Sequence, residues 1–140
     1  MVFLHVPGVT ADHLAVWLPS MNALLCGDTI YPSFPRLRPH YSSALLWVSS
    51  LDRLRMLRPH HLLLSRAIPL EGVEVAYEAL TSYRDALQLV HDQTLRLTNL
   101  GYDWREMRKR VELPENLRAH PFLQQLSGTV AEAVSTIYEG

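Results

Sequence analysis

The sequence predicts an α/β N-terminal part followed by an all-α helical region, with the division at 1–70 and 71–140. Three observations predict this. Short apolar runs, each bounded by Pro, Gly, Asp or Asn, crowd the first half. From Ala76 through Leu80, Tyr83, Leu87, Val90 and Thr94 to Leu97, residues recur at alternating spacings of four and three, an a/d seam. Two capping signals, Asp103 with Glu106 and Thr129 with Glu132, then open further helices.

The strands follow from the apolar runs. Val2–Val6, Leu14–Leu18 and Ala23–Cys26 read as strands joined by turns, with Pro19 to Asn22 as a hairpin-like connection. Tyr31–Pro39 contains Pro32, Pro35 and Pro39, so neither a regular helix nor a central strand fits it. It reads as an irregular surface loop. Between Ser42 and Leu57, Ala44, Val48, Leu51 and Leu54 recur at helical spacing beside Trp47, and Pro59 ends that helix. His61–Leu64 is a further short strand. After the long seam Gly101 marks a helix C-terminus. A helix opening at Asp103 is closed by Pro114, another covers Pro114–Gln125, and a last one runs from Thr129 to near Tyr138.

With 140 residues, 48% of them hydrophobic, the chain has enough apolar side chains for one core. Its formal charge of −1 supplies no global field toward nucleic acid or anionic membrane. The basic runs Arg53-Leu54-Arg55 and Arg108-Lys109-Arg110 read as solvated helix faces. The single cysteine, Cys26, excludes an intrachain disulfide and reads as a small buried hydrophobe. No charged, signal-like start and no apolar stretch of membrane-spanning length is present, so the expectation is a cytoplasmic protein without a membrane span.

Two groups of residues carry a resemblance. His5-Val6-Pro7-Gly8-Val9-Thr10, followed after two strands by Gly27-Asp28-Thr29, resembles the second half of a metallo-β-lactamase-type hydrolase domain. His91-Asp92-Gln93-Thr94-Leu95-Arg96-Leu97, with Asn99, Gly101-Tyr102, Leu113-Pro114, Gly128-Thr129-Val130 and Ile137-Tyr138, resembles the dimerisation domain of bacterial alkyl sulfatases. The resemblance implies half of a β-sandwich in 1–70 and a dimerisation domain, truncated at its C-terminus, in 71–140. It also implies a homodimer whose interface uses Leu80, Tyr83, Leu87, Val90 and Leu97.

The departures from that family pattern bear on chemistry. The resemblance places a metal ligand just after Pro-Gly, where Val9 and Thr10 stand, and a second in the turn Ser65-Arg66-Ala67-Ile68-Pro69, where Arg66 stands. It places a bridging glutamate where Asp28 stands, the residue that the wider superfamily has there, and a sulfate-side histidine where Glu132 stands. The histidine-rich motif His-x-His-x-Asp-His is absent. One ligand cannot hold a zinc pair, because zinc takes about four donors. The expectation is no cofactor for the isolated chain, and zinc only if another chain supplies ligands.

Single residues keep competing readings. Asp28 is either an orphan metal ligand or a turn residue bonding local N–H groups, and the turn role is the stronger. Seven histidines invite a metal site, but adjacent His60 and His61 would alternate across a strand, and the others are scattered. His91, Asp92 and Arg96 form either a substrate-side acid/base group or a buried, satisfied packing network, the second being stronger without metal. Periodicity alone leaves the seam as either intrachain core or interface. The resulting functional expectation is a non-catalytic, homodimerising protein. The alternative is the dimerising half of a split or larger metal-dependent sulfate-ester hydrolase, completed by a partner chain that carries the first half of the hydrolase domain.

Overall fold

Strands β1 (Val2–His5), β2 (Leu14–Leu18) and β3 (Ala23–Gly27) form an antiparallel meander in the computed structural model, which describes residues 1–140. A helix α1 (Ala44–Met56) crosses over to β4 (His61–Leu64), which pairs parallel to β3. A two-residue strand β5 (Leu70–Glu71), not anticipated from the sequence, pairs antiparallel to β4 and completes a sheet of order β1-β2-β3-β4-β5. The β2–β3 connection is a single 3-10 turn at Pro19–Met21 that ends on Asn22 in the left-handed region (φ 50°), which Asn tolerates.

Four helices follow: α2 (Val73–Asn99), α3 (Trp104–Arg110), α4 (Glu115–Arg118) and α5 (Val130–Glu139). Their ends obey local chemistry. Ser43 caps α1 by accepting from the Leu46 N–H, Asp103 caps α3 from Glu106 N–H, and Thr129 caps α5 from Glu132 N–H. Helix α2 ends where Tyr102 N–H donates to the Leu97 carbonyl and Gly101 N–H to the Thr98 carbonyl, with Gly101 at φ 90°. That pair of bonds is a Schellman motif. The single helix expected over Pro114–Gln125 is instead α4 plus a 3-10 turn at Pro121–Leu123, because Pro121 cannot continue a helical ladder.

The register sorts the sheet into two unlike faces. On one face Ala15, Leu24, Cys26 and Leu62 are all but inaccessible and join a core of 30 buried residues with α1, α2, α3 and α5. On the other face, Phe3 pairs with Val16, Val16 with Leu25, and Leu25 with Leu63, an apolar row across four strands. Along this face Phe3 is 64% exposed, Leu14 54% and Leu25 36%, while Val16 and Leu63 are half-buried.

The long seam is intrachain core. Ala76, Leu80, Tyr83, Leu87, Val90, Thr94 and Leu97 are all buried by the chain itself, with α2 packed against α1 and α5. The five seam residues expected at a dimer interface are therefore already spent on the chain's own packing: a side chain cannot fill the core and face a second copy at once. The Tyr31–Pro39 segment also departs from expectation. It is irregular but largely buried, with Tyr31, Ser33, Phe34 and Leu37 inaccessible. Its backbone is satisfied from inside: Phe34 N–H donates to the Gln124 carbonyl, and the Ser33 hydroxyl accepts from the Ser127 N–H. Gly128 allows this approach, since a Cβ there would lie 2.5 Å from the Pro35 carbonyl oxygen.

Leu87→Ala should destabilise the chain by about 2–5 kcal/mol, because it opens a cavity in a site that cannot collapse freely. Denaturant unfolding of the variant checks this. A loss below about 1 kcal/mol would place Leu87 outside the core.

Candidate functional site

The turn that closes β3 carries the sequence signature Gly27-Asp28-Thr29. Gly27 sits at φ +54°, and a Cβ there would meet the His13 ring nitrogen at 3.1 Å. The turn is anchored from behind by Trp47, whose indole N–H donates to the Thr29 carbonyl at 2.8 Å. The second signature loop, Pro7-Gly8-Val9, is clamped by three bonds onto α1 and the two residues before it. Ser50 Oγ donates to the Pro7 carbonyl at 2.7 Å, Ser43 N–H to the Gly8 carbonyl at 2.8 Å and Ser42 Oγ to the Val9 carbonyl at 2.8 Å. A Cβ on Gly8 would lie 2.5 Å from the Trp47 Cα, so only glycine lets the loop approach this helix.

Asp28 is half-buried at this turn and makes no side-chain hydrogen bond to the turn's N–H groups, in contrast to the expected turn-capping role. It belongs to no group of three metal-capable side chains. Its charge is felt by its surroundings: together with burial, the larger cause, it pushes up the pKa of Cys26, Tyr31 and Tyr83. Arg66, at φ 62° in the turn after β4, lies over the Tyr31 ring at 5.5 Å. Val9 packs against the core, and Thr29 Oγ1 is buried without a hydrogen-bond partner. Here Asp28 is one carboxylate, Val9 offers no donor and Arg66 brings a cation, where a zinc ion takes about four donors.

The helical motif is dispersed. The Nδ1 of His91, a residue 9% exposed, is bonded to the accepting Asp92 Oδ1 at 3.1 Å. Arg96 instead donates to Gln93 at 3.1 Å, so the three-residue network expected of His91, Asp92 and Arg96 does not form. One helical turn separates Arg96 from Asp92, but its guanidinium is bonded to half-buried Gln93. Glu132 is exposed on α5, beside a groove of about 270 Å³ that Arg36, Arg38 and Arg108 also line.

One cluster escaped sequence reasoning. His60, His61 and Glu71 bring their ligand atoms within 4.8 Å of one another. Strand alternation would separate the two histidines, but His60 lies in the bend before β4, and its ring meets that of His61 edge-on at 4.6 Å between centroids. Glu71 is unforeseeable without β5, whose register sets it opposite His61.

Residues 1–65 match the model of the metallo-beta-lactamase superfamily. Over 144 residues the chain is 33% identical to the linear primary-alkylsulfatase of Pseudomonas sp., a match over 99% of this chain and 27% of the relative. It is 28% identical over 146 residues to the alkyl/aryl-sulfatase BDS1 of Saccharomyces cerevisiae, over 99% of this chain and 23% of that one. Among solved structures, the stereoselective inverting sec-alkylsulfatase Pisa1 from Pseudomonas sp. superposes with a TM-score of 0.90 at 20% identity, over 98% of this chain and 23% of that chain. A metallo-beta-lactamase family protein from Thermus thermophilus gives 0.58 at 18% identity, over 96% and 41%. Those two likenesses show the fold. The chain spans about a quarter of the length of the curated relatives it matches.

Burial sets the pH behaviour of the site's rear wall. The Cys26 thiol, held by burial and donating to the Leu63 carbonyl at 3.3 Å, has its pKa pushed up from 9.0 to about 12. Tyr31 and Tyr83 are likewise raised above 10.0, chiefly by burial. Their neutral forms are favoured in the fold, so stability is full below the unfolded value of 9.0 and falls as pH rises toward 12. Urea unfolding at rising pH should show that loss, and Ellman's reagent should leave Cys26 unlabelled in the native chain but label it in denaturant. Rapid native labelling would contradict the burial.

Proposed function

We propose, for a chain that is alkyl-sulfatase-like over its whole length and of metallo-β-lactamase type over residues 1–65, an assembly role rather than self-contained catalysis. It pairs with a second copy of itself and does not hydrolyse sulfate esters alone. The observation that carries this reading is the exposure of Phe3, Leu14 and Leu25 on one face of the sheet, flanking half-buried Val16 and Leu63. An exposed apolar sheet face of this kind is stable in water only when something covers it. The α2 seam no longer serves as the contact, since its side chains fill the core. Self-association therefore falls to the sheet face.

The chemistry points the same way. Sulfate-ester hydrolysis in a metal-dependent hydrolase requires a metal-activated water and positive charge around the sulfate. Asp28 is the one side chain here that the resemblance offers as a ligand, and no group of three donors surrounds it. Losing a single electrostatic donor costs about a hundredfold in rate or more, and losing most of a centre costs far more.

The alternative reading has one observation in its favour, the quarter-length match to the curated relatives. In it, a chain carrying the first part of a hydrolase domain docks on the same sheet face. That chain would complete the sandwich and supply zinc ligands, making this one the dimerising half of a split hydrolase. No helix here is long and apolar enough to cross a membrane, and the charge of −1 gives nucleic acid no footprint.

Light scattering at micromolar concentration should give twice the chain mass of 16.0 kDa. The double variant Phe3→Lys, Leu25→Lys should run as a folded monomer. A monodisperse wild-type monomer would sink the homodimer. Incubation with dodecyl sulfate, with or without added zinc or manganese, should release no sulfate above background. Release lost in Asp28→Ala would show an enzyme in its own right. Release only after mixing with a chain bearing His-x-His-x-Asp-His would establish the alternative.

A further inference from the structure

We propose that His60, His61 and Glu71 form a surface site for a divalent transition-metal ion of the zinc class, separate from the turn at Asp28. The three side chains come from the bend before β4, from β4 and from β5, and their ligand atoms already lie within 4.8 Å of one another. A tetrahedral zinc ion holds its donors about 3.3 Å apart, given bond lengths near 2.0–2.1 Å. Small side-chain rotations close that gap, and the exposed side chains are free to make them: His61 is 41% exposed and Glu71 61%.

The backbone beneath is fixed. His60 and His61 N–H both donate to the Asn22 carbonyl, at 2.9 and 3.1 Å, and Gly72 N–H donates to the His60 carbonyl at 2.8 Å. These bonds, with the pairing of His61 opposite Glu71, hold the three Cα positions before any ion arrives. The cluster thus starts largely organised, which lowers the ordering cost of binding. Glu71 meets His61 at the ring Nδ1, so an ion that enters between the two replaces that contact and takes the His60 ring as its second nitrogen donor.

Charge favours the same occupant. Arg58, two residues before His60, is engaged elsewhere: it pairs with Glu74 at 3.3 Å and stacks over Tyr77 at 4.1 Å. It therefore does not neutralise Glu71. Two imidazoles and one carboxylate suit zinc and its late first-row neighbours, whereas calcium and magnesium require all-oxygen shells. Solvent supplies the fourth position, since the cluster is open on one side.

Zn²⁺ alone, titrated calorimetrically into the full chain, tests the site. Wild type and Asp28→Ala should bind one Zn²⁺ per chain with equal affinity. His61→Ala and His60→Ala should each weaken binding about tenfold or more, with unchanged far-UV circular dichroism. Ca²⁺ should give no binding heat. Absence of stoichiometric Zn²⁺ binding would overturn the site and reduce the cluster to an ion pair. Affinity unchanged in both histidine variants, or lost in Asp28→Ala, would equally overturn it. None of these results depends on whether the chain is a monomer or a dimer, so failure here leaves the assembly reading to be judged by light scattering.

Discussion

One indole joins the two parts of this chain. Trp47 is wholly buried on α1. It donates to the Thr29 carbonyl, presses against Gly8, and lies 6.4 Å from the Tyr83 ring of α2. Tyr83 in turn donates to the Ser33 carbonyl at 2.7 Å, fixing the irregular segment that Ser33 ties to residues 124–128. Both signature loops therefore depend on a contact between α1 and α2, so 1–70 and 71–140 share a single core. An aromatic pair with two buried hydrogen bonds is the kind of connection in which each member loses more than its own contacts when another is removed.

That shared core explains what is left open. The helices cover one face of the sheet, and on the other Phe3, Leu14 and Leu25 stay exposed. A two-sided sheet needs two layers. The fold is accordingly an α/β layer with a helical half packed against it and an apolar sheet face turned to water. The cluster of His60, His61 and Glu71 lies at the edge of this sheet, where β5 ends it.

Much of this was legible in the sequence, for physical reasons. β2 and β4 match the apolar runs residue for residue, because short strands between turn residues have few alternatives. Of the two capping boxes, the N-cap halves at Asp103 and Thr129 are present, since a capping side chain acts within three residues and needs no tertiary context, while the return bonds from Glu106 and Glu132 are not made. Features decided at longer range were hidden. The seam announced a buried helix face, but its period could not say that α1 and α5 would cover it. Three prolines marked an irregular 31–39 segment, yet its burial depends on Ser33 meeting residues 124–128, some ninety positions away. β5 is two residues long, too short for any periodicity, and with it the placement of Glu71 beside His61 went unseen. Asp28 illustrates the opposite case: its signature was plain, but only the structure shows it without a hydrogen bond to its own turn.

The central claim is that the apolar sheet face, and not the α2 seam, is the surface this chain offers to others. Hydroxyl-radical footprinting across a dilution series measures that most directly. Phe3, Leu14 and Leu25 should be oxidised readily when the protein is dilute and become protected as concentration rises, while Tyr83 and Leu87 stay unreactive throughout. Protection that appears instead at Tyr83 and Leu87, with Phe3 and Leu25 equally reactive at every concentration, would contradict the account and return the interface to the helix seam.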